Sequence, residues 1–175
     1  MIFGDKVLLR EKRSSDAHND YLWQTDQELV ELDASPVLTM PFSHYLLDYA
    51  LQLRSSALIR RPFAVETFDG KHIGNCSYYN VEEAKGEAEV GILIGDRDYW
   101  DKGYGTDAII AMVSHIFKGT RLKRLYLKTL DWNKRAQQCF NKCGFTPCGQ
   151  LYQNGYNFVL MELHRKGWEK LHGKT

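Results

Sequence analysis

Glu89 sits inside an apolar strand pattern, AEVGILI, and fourteen residues later Gly103-Tyr104-Gly105-Thr106 opens a stretch of helical period. Those residue types point to two pieces of chemistry. Glycines at a helix start let backbone N–H groups close on an anion, and the helix dipole adds partial positive charge there. A carboxylate upstream supplies a proton acceptor. Phosphate binding beside base chemistry is what an enzyme needs when it uses a pyrophosphate-bearing cofactor.

Two familiar phosphate motifs fit poorly. Gly103-x-Gly105-x-x-Ala108 has the letters of a dinucleotide fingerprint, but that fingerprint follows directly on the first strand of a βαβ unit. Here eight residues, 95–102, separate strand from glycine, and a meander comes before. No G-x-x-x-x-G-K-[ST] stands anywhere in the chain. What remains is a loop of backbone donors held over the helix of residues 105–117.

The elements that must hold these groups follow from periodicity and turn signals. Residues 7–10 read as a strand, and Ser14 or Ser15 caps a helix running to about Thr25. Pro36 and Pro41 interrupt the chain, after which Phe42, Tyr45, Leu46, Tyr49, Ala50 and Leu53 recur at helical spacing. Asp69-Gly70 joins strands 63–67 and 71–79, and a third strand, 87–94, follows Lys85-Gly86. Ile109, Met112, Val113, Ile116 and Phe117 form one face of the glycine-led helix. Residues 124–130 alternate as a strand, 133–142 read as a helix ended by Cys143-Gly144, and a hairpin over Asn154-Gly155 closes the chain. The order β-α-α-β-β-β-α-β-α-β-β predicts a mixed sheet with helices packed on it. Residues 1–170 read as a single domain and 171–175 as a frayed tail.

At 175 residues the chain is long enough for one domain with a sizeable core and short for two. No apolar run reaches the length of a membrane span, the opening MIFGDKVLLR lacks a signal-peptide layout, and the four cysteines have no paired spacing. The expectation is a cytoplasmic protein with reduced thiols that does not associate with membranes. Residues 117–142 hold eight basic residues and one acid, a balance of +7, whereas residues 61–116 hold five basic and ten acidic, a balance of −5. That asymmetry fits a phosphorylated ligand on one side and a cationic one on the other. Nucleic acid more often demands a basic excess across the whole domain, so it is not the expected partner. The six histidines show no metal-ligand spacing, and no metal is expected.

Taken together, the acidic strand, the W-x-x-G-x-G turn, the helix and strand after it, and Asn133-x-x-Ala136 resemble the GNAT superfamily of acetyl-CoA-dependent N-acetyltransferases. The stretches FGDKVLLR, AEVGILIGDRDYWDKGYGTDAI, LYLKTLDWNKRAQQCFNKCGF and YNFVLMEL are most similar to its RimJ/RimL-like branch, which acetylates ribosomal-protein N-termini. The resemblance implies an α/β (α+β) fold with a mixed, mostly antiparallel sheet of about seven strands flanked by about four helices. It also implies acetyl-CoA as cosubstrate, with the backbone of Ile92, Leu93 and Ile94 pairing with the pantetheine arm and Asp101, Lys102, Gly103, Tyr104, Gly105 and Thr106 wrapping the pyrophosphate. Gly91 fits a strand bulge or close backbone approach. Asn133 fits a side-chain contact to the cofactor, an N-cap for the helix it begins, or both.

Two positions depart from the superfamily pattern. Trp100 stands where Gln or Arg is common, which costs little if amides do the binding. Phe140 stands where many members carry a tyrosine that protonates the departing thiolate, and a phenyl ring has no proton to give. Tyr104, Tyr126, Tyr152 and Tyr156 are candidates on chemistry alone, and because a thiolate is a tolerable leaving group the expectation is that no strong general acid is needed. Glu89 is the expected general base, against the alternatives of a carboxylate paired with Lys or Arg or facing solvent. Glu28, Glu31, Asp33, Glu82 and Glu83 hint at a cationic acceptor. The expected partner is an amine, either a protein N-terminus or a small molecule such as a polyamine or aminoglycoside, and the protein is expected as a monomer or homodimer. A non-catalytic acyl-CoA sensor is the other reading that these residues allow.

Overall fold

The alternating segments of the sequence form the expected meander. The computed structural model describes residues 1–54 and 60–173. In it β1 (Ile2–Phe3), β2 (Val7–Glu11), β3 (Arg60–Thr67), β4 (His72–Glu82) and β5 (Glu87–Ile94) pair antiparallel in succession. Gly70, at φ +87°, and Gly86, at φ +71°, supply the left-handed backbone of the two connecting turns, where a Cβ would be strained. β6 (Arg124–Leu130), β7 (Thr146–Gln153) and β8 (Tyr156–His164) complete an eight-stranded sheet in the order β1-β2-β3-β4-β5-β6-β8-β7. The β5–β6 pair is parallel, because a helix carries the chain back across the sheet between them.

The helices are α1 (Ala17–Thr25), α2 (Gln27–Leu32), α3 (Phe42–Arg54), α4 (Tyr104–Gly119), α5 (Lys134–Lys142) and α6 (Arg165–His172). The mixed, mostly antiparallel α/β class is as expected, with one strand (β1) and two helices (α2 and α6) beyond the expected numbers. α2 is separate because Asp26 stops α1 and caps the next turn, accepting the Leu29 N–H at 3.0 Å. α6 extends into the segment read as a frayed tail: it runs through Leu171 and His172, whose ring stacks on the buried Trp168 at 3.7 Å. Residues 174–175 of that segment lie outside the described residues.

α4 packs on one face of the sheet. Its Ala108, Ile109, Met112, Val113, Ile116 and Phe117 are buried with Val7, Leu9, Val65, Ala88, Val90, Leu125 and Leu127. Arg165 closes the C-terminal end of α4, donating to the carbonyl of Phe117 in its last turn and to those of Thr120 (2.9 Å) and Leu122 (2.8 Å) just beyond it. The other face is covered by α1 and α3 over a polar layer. There the Arg10 guanidinium grips Asp16 through two 2.8 Å bonds, and Lys12 pairs with Asp20 at 2.7 Å. Asp20 also accepts from Tyr49 (2.9 Å) and Asn75 (2.6 Å). Trp23 lies flat against Gly95, where a Cβ would meet the indole at 2.1 Å, and this contact holds α1 across the end of β5.

Candidate active site

β5 and β6 pair only at their starts, from Glu87↔Arg124 to Glu89↔Tyr126. Beyond that they part. β5 stays bound to β4 as far as Gly74↔Ile94, and β6 stays bound to β8 as far as Leu130↔Phe158. The facing edges of residues 90–94 and 127–130 therefore enclose a wedge. An unpaired strand edge of this kind is a template for an extended chain to add to. Ile92, Leu93 and Ile94 lie along it, and the Ile94 carbonyl already accepts the Trp100 indole N–H at 2.6 Å.

The mouth of the wedge is the loop that leads into α4. Trp100 is stacked by the Arg135 guanidinium at 3.5 Å and flanked by that of Arg97 at 5.4 Å. Asp101 (φ +56°) and Gly103 (φ +84°) are both left-handed and turn the chain around Lys102. Lysine ammoniums hold the loop's carbonyls: Lys102 Nζ donates to Asp98 at 2.7 Å and Lys6 Nζ to Lys102 at 2.9 Å. The first turn of α4 (Tyr104, Gly105, Thr106) presents N–H groups with no partner inside the helix. Tyr104 packs edge-on to Tyr99 at 4.9 Å, and Thr106 Oγ1 is 3.4 Å from Cys139 Sγ on α5. Asp107 then fixes the turn before β2 by accepting the backbone N–H groups of Asp5, Lys6 and Val7 at 2.8–3.0 Å. Across the wedge, Asn133 caps α5, its side-chain oxygen accepting the Ala136 N–H at 3.1 Å.

Glu89 stands where the two strands separate and is 6% exposed. Its oxygens are held by neutral donors from β4: Tyr79 Oη donates to Oε1 at 3.2 Å and Asn80 Nδ2 to Oε2 at 2.9 Å. Neither alternative reading of Glu89 is seen, since it is buried and, among the described residues, no lysine or arginine pairs with it. Asn80 is left-handed (φ +49°), and the β4–β5 register shifts between Tyr79 and Glu82. The bulge therefore lies on β4 and not at Gly91, where the pairing with Ser77 is regular and an added Cβ would sit 3.6 Å from the Tyr79 ring and hydroxyl. A bulge that aims a side chain at a buried carboxylate is a feature of functional sites. Tyr79 was missed from the sequence, although counting back through the Lys85-Gly86 turn brings its strand beside Glu89.

A cavity of about 400 Å³ opens beside Glu89, lined by Asn80, Arg124, Tyr126, Lys128, Leu151, Gln153 and Leu160. Arg124 is engaged by Glu87 (2.7 Å) and Glu162 (2.6 Å), and Lys128 Nζ donates to Gln153 at 3.0 Å. Burial, followed by the charges of Glu89, Glu87 and Glu82, raises the pKa of the Tyr126 phenol, so it is neutral at pH 7. Of the other tyrosines considered as donors, Tyr104 lies in the first turn of α4, Tyr152 is 71% exposed and Tyr156 packs against Phe158 at 6.2 Å. Phe140 is buried edge-on against Phe145. Two of the acids that hinted at a cationic acceptor are already paired, Glu28 with Arg97 (2.6 Å) and Glu82 with Lys85 (2.7 Å). Among the described residues no group of three or more His, Cys, Asp or Glu side chains is placed to hold a metal ion, and no helix is long and apolar enough to cross a membrane.

The model of the acetyltransferase (GNAT) domain family matches residues 6–146. An uncharacterized N-acetyltransferase, p20, from Bacillus licheniformis is 20% identical over 151 residues, covering 86% of this chain and 84% of its own. Among solved structures, spermidine N-acetyltransferase from Vibrio cholerae in complex with CoA and spermine superposes with a TM-score of 0.80 at 20% identity, over 93% of this chain and 97% of its own. Aminoglycoside acetyltransferase AAC(6')-Ib in complex with coenzyme A and kanamycin does so with a TM-score of 0.76 at 22% identity, over 94% and 98%.

Proposed function

The chain belongs to the GNAT acetyltransferase family, and from that premise we propose that it moves an acetyl group from acetyl-CoA, its cosubstrate, directly to a primary amine. The observation that carries this reading is the wedge between β5 and β6, with a buried carboxylate where the strands part and a loop of backbone amides at its mouth. The parts fit the cosubstrate's chemistry. The free edge of Ile92 and Leu93 offers main-chain hydrogen bonds to the amide-rich pantetheine arm. Residues 101–106 offer amides and a helix N-terminus to the pyrophosphate. The Asn133 oxygen is spent on its cap, so any contact from Asn133 to the cosubstrate comes from its Nδ2.

Glu89 acts as the base. An alkylamine is mostly protonated at neutral pH and must shed a proton before it attacks, then a second as it becomes an amide. Amides of β5 near Ile92 polarise the carbonyl under attack. Holding both reactants in one wedge supplies much of the acceleration.

The cavity beside Glu89 has the size of a small-ligand site, and the two superposed enzymes carry spermine and kanamycin. A small-molecule amine is therefore the acceptor we favour. A protein N-terminus, the acceptor implied by the RimJ/RimL-like stretches, is the second reading. The test measures thiol release from acetyl-CoA with spermidine, kanamycin and a short peptide bearing a free N-terminus. Turnover with spermidine or kanamycin supports the favoured reading, and turnover with the peptide alone supports the second. Binding of acetyl-CoA without turnover for any amine makes the protein a sensor and overturns both.

A further inference from the structure

Acyl transfer from a thioester creates two proton problems: the attacking nitrogen must lose a proton, and the departing sulfur must gain one or leave as an anion. Glu89 answers the first. For the second, Phe140 of α5 offers a hydrocarbon ring packed on Phe145, and the Cys139 thiol of the same helix is turned to Thr106 at 3.4 Å. Tyr126 of β6 is paired beside Glu89, and the hydroxyl hydrogen-bonded to Glu89 is on β4. Tyr79 pairs with Glu89 in the antiparallel register, shares its face of the sheet, and donates to Oε1 at 3.2 Å. Its hydroxyl also lies beside Gly91, where an added Cβ would be in ordinary van der Waals contact at 3.6 Å. The glycine thus leaves room between the hydroxyl and the start of the free edge at residues 92–94. Asn80, held left-handed, occupies the other oxygen of Glu89 and reserves Oε1 for Tyr79.

We propose that Tyr79 is a catalytic residue, its hydroxyl giving a proton to the departing thiolate and recovering one from Glu89. The inference rests on the acetyl-transfer reading above. The balance closes within the pair. The ammonium proton first leaves to solvent; the neutral amine nitrogen then forms a C–N bond and the C–S bond breaks, its electron pair going to sulfur. The N–H proton passes to Glu89 Oε1, the Tyr79 phenolic proton passes to sulfur, and the proton on Oε1 moves back to the phenolate oxygen. Amide and free thiol leave, and both side chains return to their starting forms. A phenol suits this task because its oxygen both donates and accepts.

The test compares two acyl donors, acetyl-CoA and its selenium analogue, whose selenol departs readily as the anion. Tyr79→Phe is expected to lower kcat about 100-fold with acetyl-CoA and less than about fivefold with the seleno donor, the loss a general acid would produce. Equal losses with both donors, or no loss with either, overturn the relay. Should Tyr79→Phe not fold, 3,5-difluorotyrosine at position 79 keeps the shape and lowers the phenol pKa. The basic limb of the kcat–pH profile then moves to lower pH if the relay operates, and an unmoved limb overturns it. Absence of wild-type turnover with every amine defeats the acetyl-transfer reading itself, whereas an active wild type matched by Tyr79→Phe defeats only the relay.

Discussion

The indole N–H of Trp100 donates to the carbonyl of Ile94 at 2.6 Å, tying the loop at the mouth of the wedge to the strand edge inside it. The bond spans six residues of chain and joins the two halves of the proposed acetyl-CoA site. One half takes the pyrophosphate and the other the pantetheine arm, so their spacing depends on this contact.

Trp100→Phe keeps a ring for Arg135 to stack on and removes the bond. A single hydrogen bond contributes about 0.5–1.5 kcal/mol, so the dissociation constant for acetyl-CoA should rise roughly two- to tenfold with little change in kcat. Isothermal titration with acetyl-CoA checks this, and an unchanged constant would show that the two halves are positioned independently.

Gly95→Ala should destabilise the protein by about 1–3 kcal/mol, since the new methyl group runs into the Trp23 indole. Trp23→Ala empties the other side of the contact at about 3–5 kcal/mol. In the double variant the alanine at 95 no longer meets a ring, so the combined loss should be smaller than the sum of the two. Urea unfolding of the three variants measures the difference; strict additivity would mean that α1 is not held by this contact.

Acid should destabilise the protein in two stages. Burial, aided by the nearby charge of Lys12, pushes the pKa of His72 below its ordinary 6.5, and its ring is packed among Asp16, Asp20, Asn75, Asn19 and Trp23. Between pH 6.5 and its folded value the unfolded chain binds a proton that the folded one does not, so stability falls as pH falls. Asp16 is held below its ordinary 3.8. Burial opposes its ionisation, but hydrogen bonds from Arg10 and from the Arg13 backbone outweigh that. Its contribution is complete above pH 3.8 and is lost as pH drops through the folded value. Each group adds a slope of at most about 1.4 kcal/mol per pH unit. His72→Gln should flatten the upper stage and leave the lower one, as followed by urea midpoints from pH 7 to 3.

Most of the fold was legible from residue pattern, because turn chemistry and periodicity set the meander and the helix starts locally; the cofactor residues came from the family resemblance. Asp69-Gly70, Lys85-Gly86 and the Gly103 turn fall where the sequence places them, and strand 87–94 has the expected bounds. The misses depend on tertiary contact. α6 has just two large apolar side chains, Trp168 and Leu171, and Trp168 is buried. Gly91 fitted a bulge or a close backbone approach, and the register irregularity lies across the ladder between Tyr79 and Glu82, where Asn80 is left-handed. Tyr79 escaped notice for the same reason: only pairing brings it to Glu89. Of the acids that hinted at a cationic acceptor, Glu28 and Glu82 are paired with Arg97 and Lys85, which their positions in the sequence did not disclose.

The central claim is that Glu89, at the point where β5 and β6 part, is the base for acetyl transfer. Its most direct test is the kcat of Glu89→Gln with the best amine of the panel, alongside the variant's affinity for acetyl-CoA. Glutamine keeps the shape and can still meet Tyr79 and Asn80, but it takes no proton. The account predicts a kcat lowered by about 100-fold or more with an acetyl-CoA dissociation constant within about threefold of wild type. Wild-type kcat in Glu89→Gln would contradict it.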